Sequence, residues 1–169
     1  MSRSSFSQID CGVAQAAEQI GDKWTLVILR NAFQGMSRFD EFSEHLGIAA
    51  NVLSDRLNRL AAADILYRRP ASQDGRAVEY KLTPKGFELF PLVVFLNQWG
   101  ERWLGKPEGL RVELCDKSSG RPIRAVAAFA EDGRKLTAQD AVSRPGSGGS
   151  EVLRRAREII ARRRPAAIG

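Results

Sequence analysis

Apolar residues recur at helical spacing through most of the first hundred residues of the chain. Their spacing predicts four successive helices, over residues 13–20, 23–33, 39–46 and 50–62. Asp22 and Ser37 stand just before the second and third helices and are predicted as their N-caps, while Gly47 is predicted to end the third. Two helices joined by so short a glycine-containing turn predict a helix-turn-helix, a motif also found in proteins that never touch DNA.

On a helical wheel, the fourth helix separates into an apolar and a polar face. Leu53, Leu57 and Leu60 lie within about 60° of one another and are predicted to be buried. The polar face suits base edges in a major groove, because Asn pairs with adenine, Arg with guanine and Asp with the cytosine amino group. An ordinary solvated helix face is the alternative. The candidate DNA-contacting residues of this helix are Asn51, Ser54, Asp55, Arg56, Asn58 and Arg59.

Two alternating segments follow the fourth helix. Residues 66–69 and 78–82, separated by a tight turn around Asp74-Gly75, predict a β-hairpin. The side chains expected to face inward are Val78, Tyr80 and Leu82. Candidates for contact with phosphates or the minor groove are Arg68, Arg69 and Arg76 of the hairpin, together with Ser37 and Arg38 before the third helix. This order of elements predicts a winged helix, and a surface hairpin with incidental arginines is the alternative.

A long apolar segment closes this part of the chain. Thr83 and Pro84 are typical of a helix start, and the pattern predicts a helix over residues 84–104 with a kink or break at Pro91, which has no backbone N–H. Apolar side chains cover nearly the whole circumference of this helix, more than a small domain can bury by itself. A second subunit is therefore its expected partner, and coverage by a later part of the same chain is the alternative.

Glycine, proline and serine divide the chain into three parts. Residues 1–106 are predicted as a winged helix-turn-helix domain with its dimerisation helices, residues 107–144 as a small β-rich appendage, and residues 145–169 as a Gly/Ser hinge followed by a basic helix. Short alternating runs in the appendage predict a three-stranded meander, which either packs or frames an effector pocket against the long helix. The expected fold class is α+β, mainly helical.

The basic excess of the chain lies at its C-terminal end. The 169 residues carry a formal net charge of +6, but Lys and Arg balance Asp and Glu within residues 1–105. The net charge therefore says little about the N-terminal domain, and DNA binding there depends on local patterning. Residues 151–169 hold six Arg against two Glu and are predicted as a solvated helix or as an auxiliary contact to DNA phosphates.

The sequence offers little of what catalysis or metal binding requires. His45 is the single histidine, Cys11 and Cys115 lie far apart, and no Cys-x-x-Cys pair or phosphate-binding glycine loop is present. We therefore expect no enzyme activity, no metal and no cofactor. The longest apolar run, residues 90–96, is far shorter than the ~20 residues that span a bilayer, so a cytoplasmic protein without a membrane partner is expected. Two alternatives stay open: a non-specific architectural or protein-interaction module that uses the basic tail, and a redox protein centred on Cys11.

Several separated blocks of residues resemble the HxlR family of bacterial transcriptional regulators. They occur in order as Cys11, IGDKWTLVILR at 20–30, RFxxF at 38–42, LGI at 46–48, NVLSxRL at 51–57, EYxLTxxG at 79–86 and WG at 99–100. The resemblance implies a winged helix-turn-helix homodimer, paired through the first helix and the helix over residues 84–104. It further implies binding to an inverted-repeat DNA operator and repression, or alternatively activation, of nearby genes.

Three residues depart from the family pattern, and a fourth, Cys11, matches the position of a sensor cysteine. Ala49 and Ala50 stand where the family often has a serine cap before the recognition helix, and Asp64 stands where relatives commonly have glycine, so a left-handed backbone is expected there. In several members, a cysteine at the position of Cys11 senses oxidants or electrophiles. Because a helix N-terminus favours the thiolate, Cys11 is a candidate sensor that oxidation would link to the partner subunit's Cys11 or to a small thiol, and a small packed cysteine is the alternative.

Overall fold

The computed structural model describes residues 6, 9–71, 77–151, 154, 155, 158, 159 and 162. In chain order, the elements of this part are α1 (Gly12–Ile20), α2 (Lys23–Phe33), α3 (Phe39–Leu46), α4 (Ala50–Ala62), β1 (Leu66–Pro70), β2 (Val78–Leu82), α5 (Pro84–Phe87), α6 (Phe90–Leu104), β3 (Ala128–Phe129) and β4 (Lys135–Leu136). The chain divides into two compact units, one of residues 19–126 and the other of the residues before and after that span. The predicted α+β, mainly helical fold class is confirmed.

Side-chain caps set the starts of α2 and α3. The Asp22 carboxylate accepts the backbone N–H of Trp24 at 3.0 Å, which confirms Asp22 as the N-cap of α2. The prediction of Ser37 as the N-cap of α3 is wrong, because the N-cap is Arg38. The Glu41 carboxylate accepts the backbone N–H groups of both Ser37 and Arg38, at 2.7 and 2.9 Å, as the third residue of a helix does in a capping box.

The turn between α3 and α4 is short and partly buried. Gly47 adopts a left-handed backbone with a φ of 58° and ends α3, as predicted. Ile48 is buried beneath the turn. Ala49 is the N-cap of α4, and its side chain makes no capping hydrogen bond.

The core of the larger unit lies where α2, α3 and α4 meet the base of the hairpin. Leu53, Leu57 and Leu60 are at most 1% exposed, which confirms the apolar face predicted for α4. They belong to one cluster with the buried side chains of neighbouring elements, among them Ile28, Leu29, Phe42, Ile65, Leu66 and Leu82. Burial of each such side chain contributes about 1.5–3 kcal/mol, so the core holds α4 with its polar face outward.

β1 and β2 form the predicted antiparallel hairpin. The tight turn predicted around Asp74 and Gly75 lies outside the described residues. Of the three β2 side chains expected to face inward, Leu82 is buried, Tyr80 is half-buried and Val78 is exposed. The prediction therefore holds at the base of the hairpin and fails farther along it, because the strand runs outward from the helices.

The helix predicted over residues 84–104 is broken before its proline. Thr83 caps the short helix α5 by accepting the N–H of Gly86 at 3.0 Å. Pro91 occupies the first turn of α6, where the missing N–H has no intrahelical partner to lose. Gly86 packs so closely against the backbone of Ile65 that a Cβ would clash with the Ile65 carbonyl oxygen. This contact fixes α5 against the end of the fourth helix and the hairpin.

α6 buries one narrow face and exposes much of its remaining apolar surface. Val93 and Val94 are its buried residues. Large apolar side chains on its other faces are exposed, among them Phe95, Leu96, Trp99, Trp103 and Leu104. Val13 of α1 is also exposed. Exposed apolar surface of this kind is typical of a protein interface.

The appendage contains fewer strands than the three expected. Within the described residues 107–144, β3 and β4 pair as a short hairpin, and an isolated bridge joins Cys115 to Pro122. The alternating segment before Cys115 forms no strand there. A side chain of α6 takes one of its backbone donors instead, because the Glu101 carboxylate accepts the Arg111 N–H at 3.0 Å.

Part of the basic tail is described, and that part is helical. The helical residues are 151, 154, 155, 158, 159 and 162, in agreement with the predicted helix. Glu151 lies 3.9 Å from Arg154 and 3.5 Å from Arg155, so acidic and basic groups pair along this helix. The rest of the predicted tail lies outside the described residues.

Candidate nucleic-acid interface

α4 presents a polar face to solvent. Asn51, Asp55, Asn58 and Arg59 are exposed, as the helical wheel predicts, and Ser54 is half-buried at the edge of this face. The Arg59 Nε atom lies 3.0 Å from the Asp55 carboxylate, one helical turn away. These amide, carboxylate and guanidinium groups are the types that pair with base edges in a major groove.

Arg56, another candidate of α4, points back into the protein. Its Nε and Nη2 atoms donate to the Asp22 carboxylate at 2.8 and 3.1 Å, and it also bonds Asp55. Its side chain is only 11% exposed. Burial alone would raise the pKa of Asp22, but hydrogen bonds from Arg56 and from the Trp24 N–H lower it below its usual value. Asp22 thus caps α2 and also holds α4 against α2. The sequence pattern did not predict the pairing of Asp22 with Arg56.

Arg68 connects the hairpin to α4. Its Nη2 atom donates to the Asn58 side-chain oxygen, and its guanidinium lies 5.7 Å from the centre of the Tyr80 ring. Arg68 is exposed despite both contacts. The exposed face of α4 and the first strand of the hairpin therefore form one polar surface.

Glu79 on β2 forms ion pairs with other cationic side chains of the hairpin. Its carboxylate accepts a hydrogen bond from Arg69 Nε at 2.7 Å and lies 3.6 Å from Lys81 Nζ. The hydrogen bond from Arg69 lowers the pKa of Glu79 below its usual value. Glu79 was not among the residues predicted from the sequence; the observed strand register sets it opposite Arg69. Arg76, the remaining arginine predicted on the hairpin, lies outside the described residues.

The two candidates before α3 take different positions. Ser37 is buried, its carbonyl oxygen accepts the Tyr80 N–H at 2.7 Å, and its hydroxyl donates to Glu79 at 3.5 Å. Arg38 is exposed and pairs with Asp40 at 2.9 Å. A β-bridge between Arg38 and Glu79 adds a third extended segment to the hairpin. Ser37 therefore holds the hairpin in place, and Arg38 lies on the surface.

Cys11 lies directly before α1, as predicted, and is exposed and unpaired. Its carbonyl oxygen accepts the Gln15 N–H at 3.0 Å, so Cys11 and its thiol lie at the N-terminal end of α1. Cys115 is also exposed and unpaired. In the described part of the chain, no group of three or more His, Cys, Asp or Glu side chains could hold a metal ion. None of the described helices is long and apolar enough to cross a membrane.

Comparison with known proteins decides the family. A family model, described as HxlR-like helix-turn-helix, matches residues 19–108, more than half of the chain. The chain belongs to this HxlR-like family. An uncharacterised HTH-type transcriptional regulator of Mycobacterium tuberculosis is 38% identical over 136 residues, which cover 80% of this chain and 86% of that relative.

Solved structures extend this likeness beyond the HxlR-like segment. PA1607, a candidate transcription factor, is 41% identical with a TM-score of 0.78, and the match covers 83% of this chain and 99% of that one. PA1374 of Pseudomonas aeruginosa, also a candidate transcription factor, is 37% identical with a TM-score of 0.61, covering 86% and 99%. The redox regulator HypR in its reduced form is 31% identical with a TM-score of 0.51, covering 56% and 96%.

Proposed function

We propose that this HxlR-like protein is a sequence-specific DNA-binding transcriptional regulator that acts on an inverted-repeat operator, above all as a repressor. The observation that carries the proposal is the exposed face of α4, where short polar side chains stand beside an arginine-bearing hairpin. The regulatory names of its relatives support the same function. The proposal requires neither catalysis nor a cofactor, and it places the protein in the bacterial cytoplasm.

The exposed and buried candidates have different roles in this proposal. Asn51, Asp55, Asn58 and Arg59 read base edges in the major groove, with Ser54 at the margin. Arg38, Arg68, Arg69 and Arg76 contact phosphates or the minor groove, which fixes the register of the protein on the duplex. Ser37 and Arg56 are positioning residues, because their side chains are directed to Glu79 and Asp22.

The apolar surface of α6 supports a homodimer. Trp99, Trp103 and Leu104 are exposed, and α1 offers Val13 as a further apolar contact. A two-fold dimer through these helices would place its two copies of α4 in successive major grooves, about 34–36 Å apart. The operator is therefore expected to contain two inverted half-sites about one helical turn apart.

Fluorescence anisotropy tests the proposal directly. The reduced protein is titrated with the DNA upstream of its own gene and with a scrambled duplex of equal length at the same salt concentration. Binding to its own DNA is expected to be at least ~10³-fold tighter. Asn51→Ala should lower only the specific affinity, and Gln139→Ala, a change at an exposed amide outside the interface, is the matched control.

Equal affinity for both duplexes would contradict sequence-specific binding to that DNA. The same titration with residues 151–169 deleted then identifies the cause. Loss of the affinity on deletion would favour the architectural module that binds phosphates through its basic tail. Persistence of the equal affinity after deletion would mean that the rest of the chain binds DNA and that the DNA upstream of its own gene holds no operator for it.

A second candidate function is redox control through Cys11. Its exposure before α1 supports this function, and so does the likeness to the redox regulator HypR. Oxidation by diamide would remove two protons and two electrons from Cys11 and the partner subunit's Cys11 and join them in a disulfide. Operator affinity is expected to change on oxidation in the wild type and in Cys115→Ser, but not in Cys11→Ser. An equal response in all three proteins, or none, would overturn the redox proposal.

A further inference from the structure

A cavity of about 390 Å³ opens beside α2 and α6 in the larger unit. Its walls are mostly apolar side chains of α2, α6 and the segment that follows α6, namely Phe33, Phe90, Val93, Val112, Leu114 and Ile123. A neighbouring opening of about 280 Å³ shares Arg30, Glu101 and Arg111 with it. The volume of the larger cavity, about 390 Å³, lies within the range of small-molecule sites, about 300–1,000 Å³.

Two polar side chains of α6 form hydrogen bonds with the segment that covers the cavity. Gln98 accepts the Val126 N–H at 2.9 Å and donates to the Arg124 carbonyl oxygen at 3.1 Å. Glu101 accepts the Arg111 N–H at 3.0 Å and the Arg111 guanidinium at 3.2 Å. The hydrogen bond from the Arg111 N–H lowers the pKa of Glu101, so this carboxylate is ionised and already paired. The covering segment is thereby held in place without a ligand.

Arg30 leaves the cavity with one positive charge in excess. Arg111 is neutralised by Glu101, whereas no carboxylate in the described part of the chain forms an ion pair with Arg30. Arg30 donates to the Asn31 side-chain oxygen at 3.0 and 2.8 Å, and its Nη2 atom lies 3.5 Å from His45 Nε2. Asn31 is fully buried, so these bonds orient the guanidinium. Apolar walls with one unpaired guanidinium complement an aromatic ring that bears a carboxylate.

We propose that this cavity binds a small aromatic carboxylate, with its ring against Phe33 and Ile123 and its carboxylate on Arg30. Such a ligand contacts α2, and the Asp22–Arg56 pair joins α2 to α4. The bound anion therefore acts as an effector of DNA binding. This effector role rests on the proposed regulatory function, whereas binding of the ligand does not.

Isothermal titration calorimetry of the full chain tests the binding site, with 2-naphthoate as the probe. The neutral analogue 2-naphthalenemethanol has the same ring and no charge. Saturable binding of one naphthoate per chain is expected, with the alcohol binding at least about tenfold more weakly. No saturable binding of naphthoate at millimolar concentration would overturn the proposal, and so would equal affinity for the two probes.

Two variants locate the site within the chain. Arg30→Gln should weaken naphthoate binding by about tenfold or more. Arg121→Gln removes an exposed arginine that does not line the cavity, and it should leave binding unchanged. Ile123→Trp should abolish binding by filling the space, and circular dichroism verifies that each variant is folded. Unchanged binding in both Arg30→Gln and Ile123→Trp would place the ligand elsewhere and overturn the proposal.

The operator titration on the same samples separates the two proposals. A shift in operator affinity caused by naphthoate in the wild type, absent in Ile123→Trp, supports the effector role. Bound naphthoate without such a shift would overturn that role. Naphthoate binding by a protein that shows no specific DNA affinity would contradict the proposed function and leave the ligand site intact. Specific DNA affinity without naphthoate binding would overturn only the ligand site.

Discussion

Replacing Asp22 with alanine tests whether one side chain both caps α2 and anchors α4. The capping hydrogen bond alone contributes about 0.5–2 kcal/mol. The side chains of Arg56 and Asp22 are 11% and 27% exposed. Their pair therefore lies between exposed pairs, which contribute about 0.2–1 kcal/mol, and fully buried pairs, whose disruption costs about 3–5 kcal/mol. We expect Asp22→Ala to lower the free energy of unfolding by about 2–4 kcal/mol.

A double-mutant cycle separates the ion pair from the cap. Asp22→Ala, Arg56→Ala and the double variant are compared by urea denaturation followed by far-UV circular dichroism, at one fixed protein concentration. A coupling energy of about 1–2 kcal/mol is expected from the geometry of the pair. Arg59→Ala removes an exposed pair with Asp55 and, as the control, should change stability by no more than about 0.5 kcal/mol.

The pH dependence of the same aspartate gives a second measurement. The folded protein lowers the pKa of Asp22 from its ordinary value of 3.8, so folding favours the ionised carboxylate. Its contribution is fully present above the unfolded pKa and is lost as the pH falls through the lower folded pKa. The stability difference between wild type and Asp22→Asn should therefore be constant near neutral pH and shrink in acid. A coupling energy near zero, or a difference that persists in acid, would refute the anchoring of α4 by Asp22.

Substitutions at three further positions test other parts of the fold by the same denaturation assay. Leu57→Ala should lower the free energy of unfolding by about 2–5 kcal/mol, because it leaves a cavity at a fully buried position, and a loss below ~1 kcal/mol would contradict that packing. Gly86→Ala should lower it by about 1–3 kcal/mol, since the added Cβ clashes with the Ile65 carbonyl oxygen, and an unchanged midpoint would argue against the contact. Asp64→Gly should raise it by up to ~1 kcal/mol, because Asp64 has a φ of 55°, whereas Asp64→Ala should not, and equal effects would dismiss backbone strain.

The sequence predicts best those features that local signals determine. The spacing of Leu53, Leu57 and Leu60 defines the buried face of α4, because an α-helix repeats over a few residues. Gly47 ends α3, and Asp64 takes the left-handed backbone expected where relatives have glycine. The buried face of α4 and the end of α3 depend on residues within about two turns of one another, so they need no knowledge of the tertiary structure. The backbone of Asp64 was instead expected from the family resemblance.

Features that depend on distant partners could not be read from the sequence. A tight turn centred on Asp74-Gly75 would set Arg69 opposite Tyr80, whereas the observed register sets Arg69 opposite Glu79. The sequence pattern did not fix which residue of β2 pairs with Arg69, so Glu79 was not among the predicted residues. Arg56 was assigned to the DNA-contacting face for a similar reason, because its partner lies 34 residues earlier in the chain.

Three arginines of the exposed surface around α4 and the hairpin are already paired with carboxylates. Arg38 pairs with Asp40, Arg59 with Asp55, and Arg69 with Glu79. A phosphate that binds one of these guanidinium groups must displace a carboxylate, so the exchange replaces one anion by another and yields little free energy by itself. In the proposed complex, these three arginines would therefore contribute less to sequence-independent binding than Arg68, whose hydrogen bond is to the neutral Asn58 side chain, and matching base edges would have to supply more of the affinity. The carboxylates of the unbound protein would thus compete with phosphates at these three arginines and favour duplexes that also offer matching base edges.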